Sequence, residues 1–322
     1  MDPEVILFDA ALKKAATKGC SLLLGNGFSA PYSSYKNLYE KADFAAGDAV
    51  RALFERLETV NFEQVVKALE DASVVEAAYG HKDQSKVFTD DAVRVREGLV
   101  NAVRTAHPAY RDDIAKVIPS CVEFLSSFSK VFTLNYDLLL YWVILGRQQF
   151  ADGFGLGAEN NGFRGPFKIS ARCNIFHVHG GLHLYQTADY EIEKRLATAA
   201  GMIDAIAETI GKGDRFPVYV AEGTSSAKLS RINTVPYLKH CYQQLYDCTG
   251  ALFIYGHSAS DNDAHIYNAL FRSGIDHIYF CIYKPKADTL AEMNAKLSYF
   301  QRSNRSRIDY TFVDAESAAV WG

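Results

Sequence analysis

Short apolar runs of strand length alternate along this chain with longer amphipathic stretches of helix length. This alternation predicts an α/β fold, namely a Rossmann-like parallel sheet with helices on both faces. In such sheets, ligands bind outside the carboxyl ends of the strands. The predicted strands are Cys20–Leu24, Val131–Leu134, Asn174–Val178, Pro217–Val220, Ala251–Tyr255, His277–Ile282 and Arg307–Val313.

The pattern between the first two of these strands is helical throughout. We therefore predict one domain over residues 1–322, with a helical insertion at about residues 35–130. Within the insertion, Asn61 and Thr89 precede amphipathic segments and are expected to be N-caps. The insertion lacks the linker composition of a separate domain.

Three further segments have a clear pattern. Pro3 to Lys18 is amphipathic and predicts a first helix. Leu138–Leu145 is wholly apolar but only about a third of a membrane span, which favours a buried helix. Phe150 to Ser170 is rich in glycine and predicts a loop.

Composition narrows the class of protein. The chain has 322 residues, of which 48% are hydrophobic and 22% are charged. Its formal net charge is −4 and it has no block of basic residues, so no direct nucleic-acid partner is expected. The start Met1–Glu4 is acidic and polar, without the pattern of a secretory signal. Six scattered cysteines without a C-x-x-C pair argue against a cysteine zinc module and fit a cytoplasmic protein with no membrane association.

The first predicted strand ends in a glycine turn, Gly25-Asn26-Gly27-Phe28-Ser29. Glycines allow close approach of a ligand, so the backbone N–H groups here are expected to face a diphosphate. Ser29 is expected to cap the next helix or to contact phosphate. A plain strand-to-helix turn explains the same residues about as well.

Thr133-Leu134-Asn135-Tyr136-Asp137 lies at the end of the second strand. The amide of Asn135 both donates and accepts hydrogen bonds, which suits holding a ribose hydroxyl or a water. We assign Asp137 mainly to capping the following helix.

Three histidines, His177, His179 and His183, lie around the end of the third strand. His177 is interpreted as a satisfied core histidine. His179 directly precedes Gly180-Gly181 and is best placed to reach a ligand as a general base. A His-x-His pair also suits a metal, a less favoured alternative.

A similar turn, Gly256-His257-Ser258-Ala259-Ser260-Asp261-Asn262-Asp263, follows another apolar strand. Gly256 permits close approach, and Ser258 is expected to contact phosphate or ribose. Asp261 and Asp263 are expected to bind hydroxyls, to cap the next helix or to hold a cation. Helix capping is the commonest of these roles for a Ser/Asp cluster. A lower-ranked polar turn, Glu222–Lys228, is expected at the edge of the same pocket.

Taken in order, these four turns resemble the sirtuin family, and in particular the sirtuin-like NAD hydrolases of bacterial anti-phage defence. The resemblance covers Cys20 to about Leu270, and His257 stands where those hydrolases tend to have an aromatic residue. The paired zinc cysteines of protein-deacetylating sirtuins are missing, which speaks against deacetylation.

The resemblance implies that NAD is the substrate, that no metal is needed, and that nicotinamide and ADP-ribose are the products. Asn135 and His179 would be catalytic, and an oligomer or an activating protein partner would control the enzyme. The cofactor-binding positions would be Gly25, Asn26, Gly27, Ser29, Asp137, Gly256, Ser258 and Asp261. Two alternatives stay open: a sensor that binds NAD or an ADP-ribose derivative without turnover, and a metal-dependent hydrolase using His177, His179, His183 and Asp261.

Overall fold

The computed structural model contains one parallel sheet of eight strands with helices on both faces, as the alternating pattern predicts. The structure describes residues 4–15, 19–32, 38–154, 172–187, 191–195, 201–211, 215–220 and 223–322. The strands of this sheet are β1 (Val5–Leu7), β2 (Cys20–Leu24), β3 (Lys130–Thr133), β4 (Phe150–Ala151), β5 (Cys173–His177), β9 (Thr249–Tyr255), β10 (Gly274–Ile282) and β11 (Asp309–Asp314).

The strand order is β1-β11-β10-β9-β2-β3-β5-β4. From β2 the chain steps outward through β3 to β5, and from β9 it steps outward through β10 to β11 on the opposite side. The direction of winding therefore reverses between β2 and β9. This junction is the topological switch point at which doubly wound sheets form their ligand crevice.

Successive strand residues point to opposite faces and join two separate hydrophobic cores. On β2, Leu22 and Leu24 belong to one core and Leu23 to the other. On β9, Phe253 packs in the first core, whereas Leu252 and Ile254 pack in the second. A strand that is buried on both faces reads as a continuous apolar run, which explains the sequence of β2.

The chain between β2 and β3 is helical in its described part and packs on the first core. Asn61 caps α5 (Phe62–Ala78) as predicted, since its Oδ1 accepts from the Glu63 N–H at 3.0 Å. Thr89 is not a cap, because α6 (Lys82–Ala106) runs through it and its hydroxyl donates to the Ser85 carbonyl. The helices are α2 (Asn26–Ser29), α3 (Leu38–Lys41), α4 (Ala49–Arg56), α5 (Phe62–Ala78), α6 (Lys82–Ala106) and α7 (Ile118–Ser126).

The beginning of the chain differs from the predicted single helix. Within the described residues, Val5–Leu7 forms β1 and Phe8–Ala15 forms the helix α1. β1 pairs in parallel with β11, where Val5 lies opposite Phe312. Edge pairing with a strand some three hundred residues away therefore overrides the local helical pattern.

A second, antiparallel sheet of three strands follows β5. Its strands are β6 (Gly180–Gln186), β7 (Ile192–Lys194) and β8 (Pro217–Tyr219), in the order β7-β6-β8. Most of the glycine-rich segment predicted at residues 150–170 lies outside the described residues. The turn at Glu222–Lys228 is described only from Gly223 onward.

The remaining helices complete the two layers. The apolar segment Leu138–Leu145 contains the buried helix α8 (Leu139–Ile144), which confirms that prediction. Over the described residues, every helix is too short or too polar to cross a bilayer. The others are α9 (Met202–Gly211), α10 (Ser225–Thr234), α11 (Pro236–Tyr246), α12 (Ala264–Leu270) and α13 (Ala287–Ser303).

Candidate functional site

The four predicted motifs lie side by side at the carboxyl ends of four adjacent central strands. Leu24 of β2 lies opposite both Thr133 of β3 and Tyr255 of β9, and Thr133 lies opposite His177 of β5. Because this register aligns the strand ends, the following turns start at one level of the sheet. The turns thus flank the switch point between β2 and β9.

Two glycine turns are in direct backbone contact at this switch point. The Gly25 N–H donates to the Tyr255 carbonyl at 2.9 Å, and the Gly27 N–H donates to the Gly256 carbonyl at 2.7 Å. These two N–H groups therefore bond within the protein and do not face a diphosphate, which corrects that expectation. The glycines serve the close approach of two turns, with Gly256 at a positive φ of 73°.

The first glycine turn is also held from the far end of the chain. The Trp321 indole N–H donates to the Phe28 carbonyl at 2.7 Å. Its ring packs against Phe28 and Tyr32, with centroids 4.9 and 5.1 Å away.

Asn135 is buried and held in one orientation by the glycine turn. Its Nδ2 donates to the Gly25 carbonyl at 3.0 Å and to Ser29 Oγ at 2.9 Å. Because a carbonyl only accepts, the amide nitrogen must face Gly25 and the oxygen must point the other way. Among the residues that the structure describes, Asn135 Oδ1 has no hydrogen-bond partner. A buried, unsatisfied acceptor of this kind suits a ligand hydroxyl or a water.

Asp137 and Ser29 complete this network. Asp137 caps α8 as predicted, since its Oδ1 accepts from the Leu139 N–H at 2.8 Å. Its Oδ2 accepts a short hydrogen bond from Ser29 Oγ. Ser29 is the last residue of α2 and not a cap, which corrects that expectation. Ser29 therefore orients the Asn135 amide, and Asp137 in turn orients the Ser29 hydroxyl.

His179 lies against a second histidine that the sequence analysis did not identify. The Nε2 atoms of His179 and His265 are 3.2 Å apart, and both side chains are buried. Burial lowers the pKa of His179 to about 3 and that of His265 to about 4, so both rings are neutral near pH 7. Ser225 Oγ lies 3.1 Å from the other ring nitrogen of His265 and accepts from its backbone N–H.

Asp263, and not Asp261, is the carboxylate of this cluster. Its two oxygens contact Lys228 Nζ at 2.9 Å and His257 Nε2 at 3.2 Å. Burial raises the pKa of Asp263, but the hydrogen bond with His257 and the charge of Lys228 lower it by more, so the net shift is downward. The carboxylate is therefore ionised and paired with the buried Lys228.

Some predicted positions lie outside these contacts. Asn26, Ser258 and Asp261 are exposed. The Ser258 carbonyl accepts from Lys296 Nζ at 3.2 Å.

His177 and His183 form a separate buried pair. Their ring centroids are 4.8 Å apart, and all four ring nitrogens lack a hydrogen-bond partner within the described part of the chain. His177 is thus in the core, as predicted, but it is not satisfied. The metal set His177, His179, His183 and Asp261 does not assemble; the described residues bring together His179, Asp263 and His265.

His265 is the site residue that the sequence interpretation missed, whereas Ser225 belongs to the Glu222–Lys228 turn that was expected at the edge of the pocket. His265 follows the Gly256 turn on the first turn of α12, and Ser225 begins α10. A histidine placed just after an acidic turn of this type is the signal that would have identified it.

Comparison with known proteins gives one family. The model of DUF4917, described as a domain of unknown function, matches residues 22–321, a span that includes every residue of the site. The search of curated proteins found no match.

Proposed function

This chain belongs to the DUF4917 family, and we propose its function from the candidate site. We propose that it cleaves the nicotinamide–ribose bond of NAD with water. The observation that carries the proposal is the buried Oδ1 of Asn135, which has no hydrogen-bond partner among the described residues and lies beside the switch point of a Rossmann-like sheet. The resemblance of the four turns to sirtuin-like NAD hydrolases supports the choice of substrate.

The reaction consumes one NAD and one water and gives nicotinamide, ADP-ribose and one proton. The pyridinium leaving group already carries positive charge and departs as neutral nicotinamide. The transition state therefore resembles an oxocarbenium ion, and the protein needs mainly to orient the ribose and one water. No metal is required for this leaving group.

In this mechanism Asn135 Oδ1 accepts a hydrogen bond from a ribose hydroxyl or from the attacking water. Ser29 and the Gly25 carbonyl hold the amide in that orientation before substrate binds. A preorganised acceptor of this kind loses little free energy to reorganisation during the reaction.

His179 accepts the proton that the water or hydroxyl releases. Its pKa of about 3 makes it a weak base, but a neutral one at physiological pH. A weak base suffices here, because water that adds to an oxocarbenium ion becomes strongly acidic. On adjacent strands, Asn135 and His179 each lie two residues beyond the paired positions Thr133 and His177, so they lie at the same level of the sheet.

An enzyme that depletes NAD is toxic when it is always active. We therefore propose that assembly or a protein partner controls it, as in the anti-phage hydrolases that the motifs resemble. All six cysteines are buried and free, which fits a reduced, cytoplasmic protein.

The test is a chromatographic assay of nicotinamide release by the purified chain over a range of protein concentrations. We expect turnover that rises faster than protein concentration, and its loss in Asn135→Ala and His179→Ala. The matched controls are Asn101→Ala and His81→Ala, which change exposed residues of the insertion and should keep full activity. Turnover that survives both site substitutions contradicts the mechanism. Tight NAD binding without nicotinamide release over a long incubation would instead indicate a sensor.

A further inference from the structure

The cluster around His179 has the composition of a transition-metal site. His179, Asp263 and His265 each offer one ligand atom, and these atoms all lie within 4.8 Å of one another. Two imidazole nitrogens and one carboxylate oxygen are a common ligand set for zinc, with a water in the fourth position.

The spacing of the two histidines fits one shared ion. In a tetrahedral site with Zn–N bonds of about 2.0–2.1 Å, two ligand nitrogens are about 3.3 Å apart. The Nε2 atoms of His179 and His265 are 3.2 Å apart.

Neighbouring side chains hold these ligands in the way that outer-shell groups hold ligands in metal sites. Ser225 Oγ bonds the Nδ1 of His265 at 3.1 Å and so leaves its Nε2 directed at His179. His257 bonds one oxygen of Asp263, and its own orientation is fixed because its Nδ1 accepts from the Ala259 N–H.

We infer that His179, His265 and Asp263 bind one zinc ion, and that this ion inhibits the enzyme. A rotation of the Asp263 side chain brings its carboxylate to the ion. The inhibitory part of this inference rests on the proposed function: zinc occupies the lone pair of His179 that would otherwise accept the proton from water. Lys228 lies beside the carboxylate at 2.9 Å, and its charge opposes a divalent ion, so the site is weaker than a structural zinc site and releases its ion reversibly.

The binding test uses calorimetric titration of untagged full-length protein with zinc chloride. We expect one equivalent to bind. His265→Ala should lower the affinity about 100-fold or more, since even outer-shell changes cost about 10- to 100-fold. Ser225→Ala, an outer-shell change, should cost about 10-fold. His81→Ala, which removes an exposed histidine from the insertion, is the matched control and should bind as the wild type does.

Cobalt gives a second readout, because a four-coordinate Co²⁺ site has strong visible absorption and a six-coordinate one does not. Asp263→Asn should weaken this absorption, and it serves as the ligand variant if His265→Ala fails to fold by circular dichroism. Absence of zinc binding by the wild type, or unchanged binding by a folded ligand variant, overturns the site.

The effect of zinc on NAD cleavage is tested separately from zinc binding. Added zinc should suppress nicotinamide release and a chelator should restore it. Zinc binding at this site in a metal-free protein that never cleaves NAD would refute the proposed function and its inhibition but leave the metal site standing. Full turnover by the zinc-loaded protein overturns the inhibition alone.

Discussion

The contact between the two glycine turns makes a sharp prediction for Gly27→Ala. A Cβ at position 27 would lie 2.5 Å from the Gly256 Cα and 3.1 Å from its carbonyl carbon and oxygen. Carbon atoms in contact are normally about 3.5–4.0 Å apart, so the two turns must separate by about 1 Å. The atoms that this Cβ meets are all backbone, so no change of side-chain rotamer can relieve the clash.

The cost has two parts. Overpacking of this kind costs about 1–3 kcal/mol. A separation of about 1 Å also breaks the 2.7 Å bond from the Gly27 N–H to the Gly256 carbonyl, and unpaired buried groups cost about 1–3 kcal/mol. We expect the free energy of unfolding to fall by about 2–6 kcal/mol in total.

The assay is urea denaturation followed by circular dichroism, with midpoint and slope compared between variants. Gly211→Ala is the matched control: it lies at the exposed end of α9, and its added Cβ meets no described residue within 4 Å. This control should change stability by less than about 1 kcal/mol. A loss below about 1 kcal/mol for Gly27→Ala would show that the turns move apart freely and would refute the reasoning.

Three other substitutions test particular contacts. Asp137→Ala removes both the α8 cap and the bond to Ser29. We expect the free energy of unfolding in urea to fall by about 1–2 kcal/mol and NAD binding in calorimetry to weaken. An unchanged affinity for NAD would contradict the orienting role of Asp137. Lys194→Met leaves the buried Asp152 carboxylate unpaired and should cost about 3–5 kcal/mol, whereas adding Asp152→Leu should recover most of it in the same assay. Burial holds the pKa of His183 well below its unfolded value of 6.5, so the unfolded chain binds the extra proton and stability should fall as pH drops below about 6.5. His183→Leu should flatten that fall by up to about 1.4 kcal/mol per pH unit, and an unchanged pH profile of denaturation midpoints would show that the ring is not neutral in the fold.

The local pattern of apolar and polar residues was sufficient to predict the parallel sheet and most of the helices. The strands at Cys20–Leu24 and Ala251–Tyr255 are continuous apolar runs because both their faces are buried, and such runs are visible without any knowledge of partners. β1 was missed for the opposite reason. It has three residues, and only its pairing with β11 makes it a strand.

The candidate site was predictable at the level of turns but not of contacts. The strand-end rule placed the Gly25 and Asn135 turns at the same edge of the sheet, because parallel strands end at one edge. Spacing could not show that the Gly25 and Gly27 N–H groups bond to the second glycine turn, since the partners lie some 230 residues downstream. His265 was missed because its proximity to His179 depends on how α12 packs against α10 and α11, and a single sequence does not encode this as a local pattern.

The bond from Trp321 to the Phe28 carbonyl joins residues 293 positions apart. During synthesis the first glycine turn leaves the ribosome long before the indole that fastens it, and β9, which supplies Gly256, also arrives late. The turns at the switch point therefore lack their full set of contacts until Trp321 has been synthesised. For the NAD hydrolase that we propose, this order of synthesis delays activity until that residue has been added.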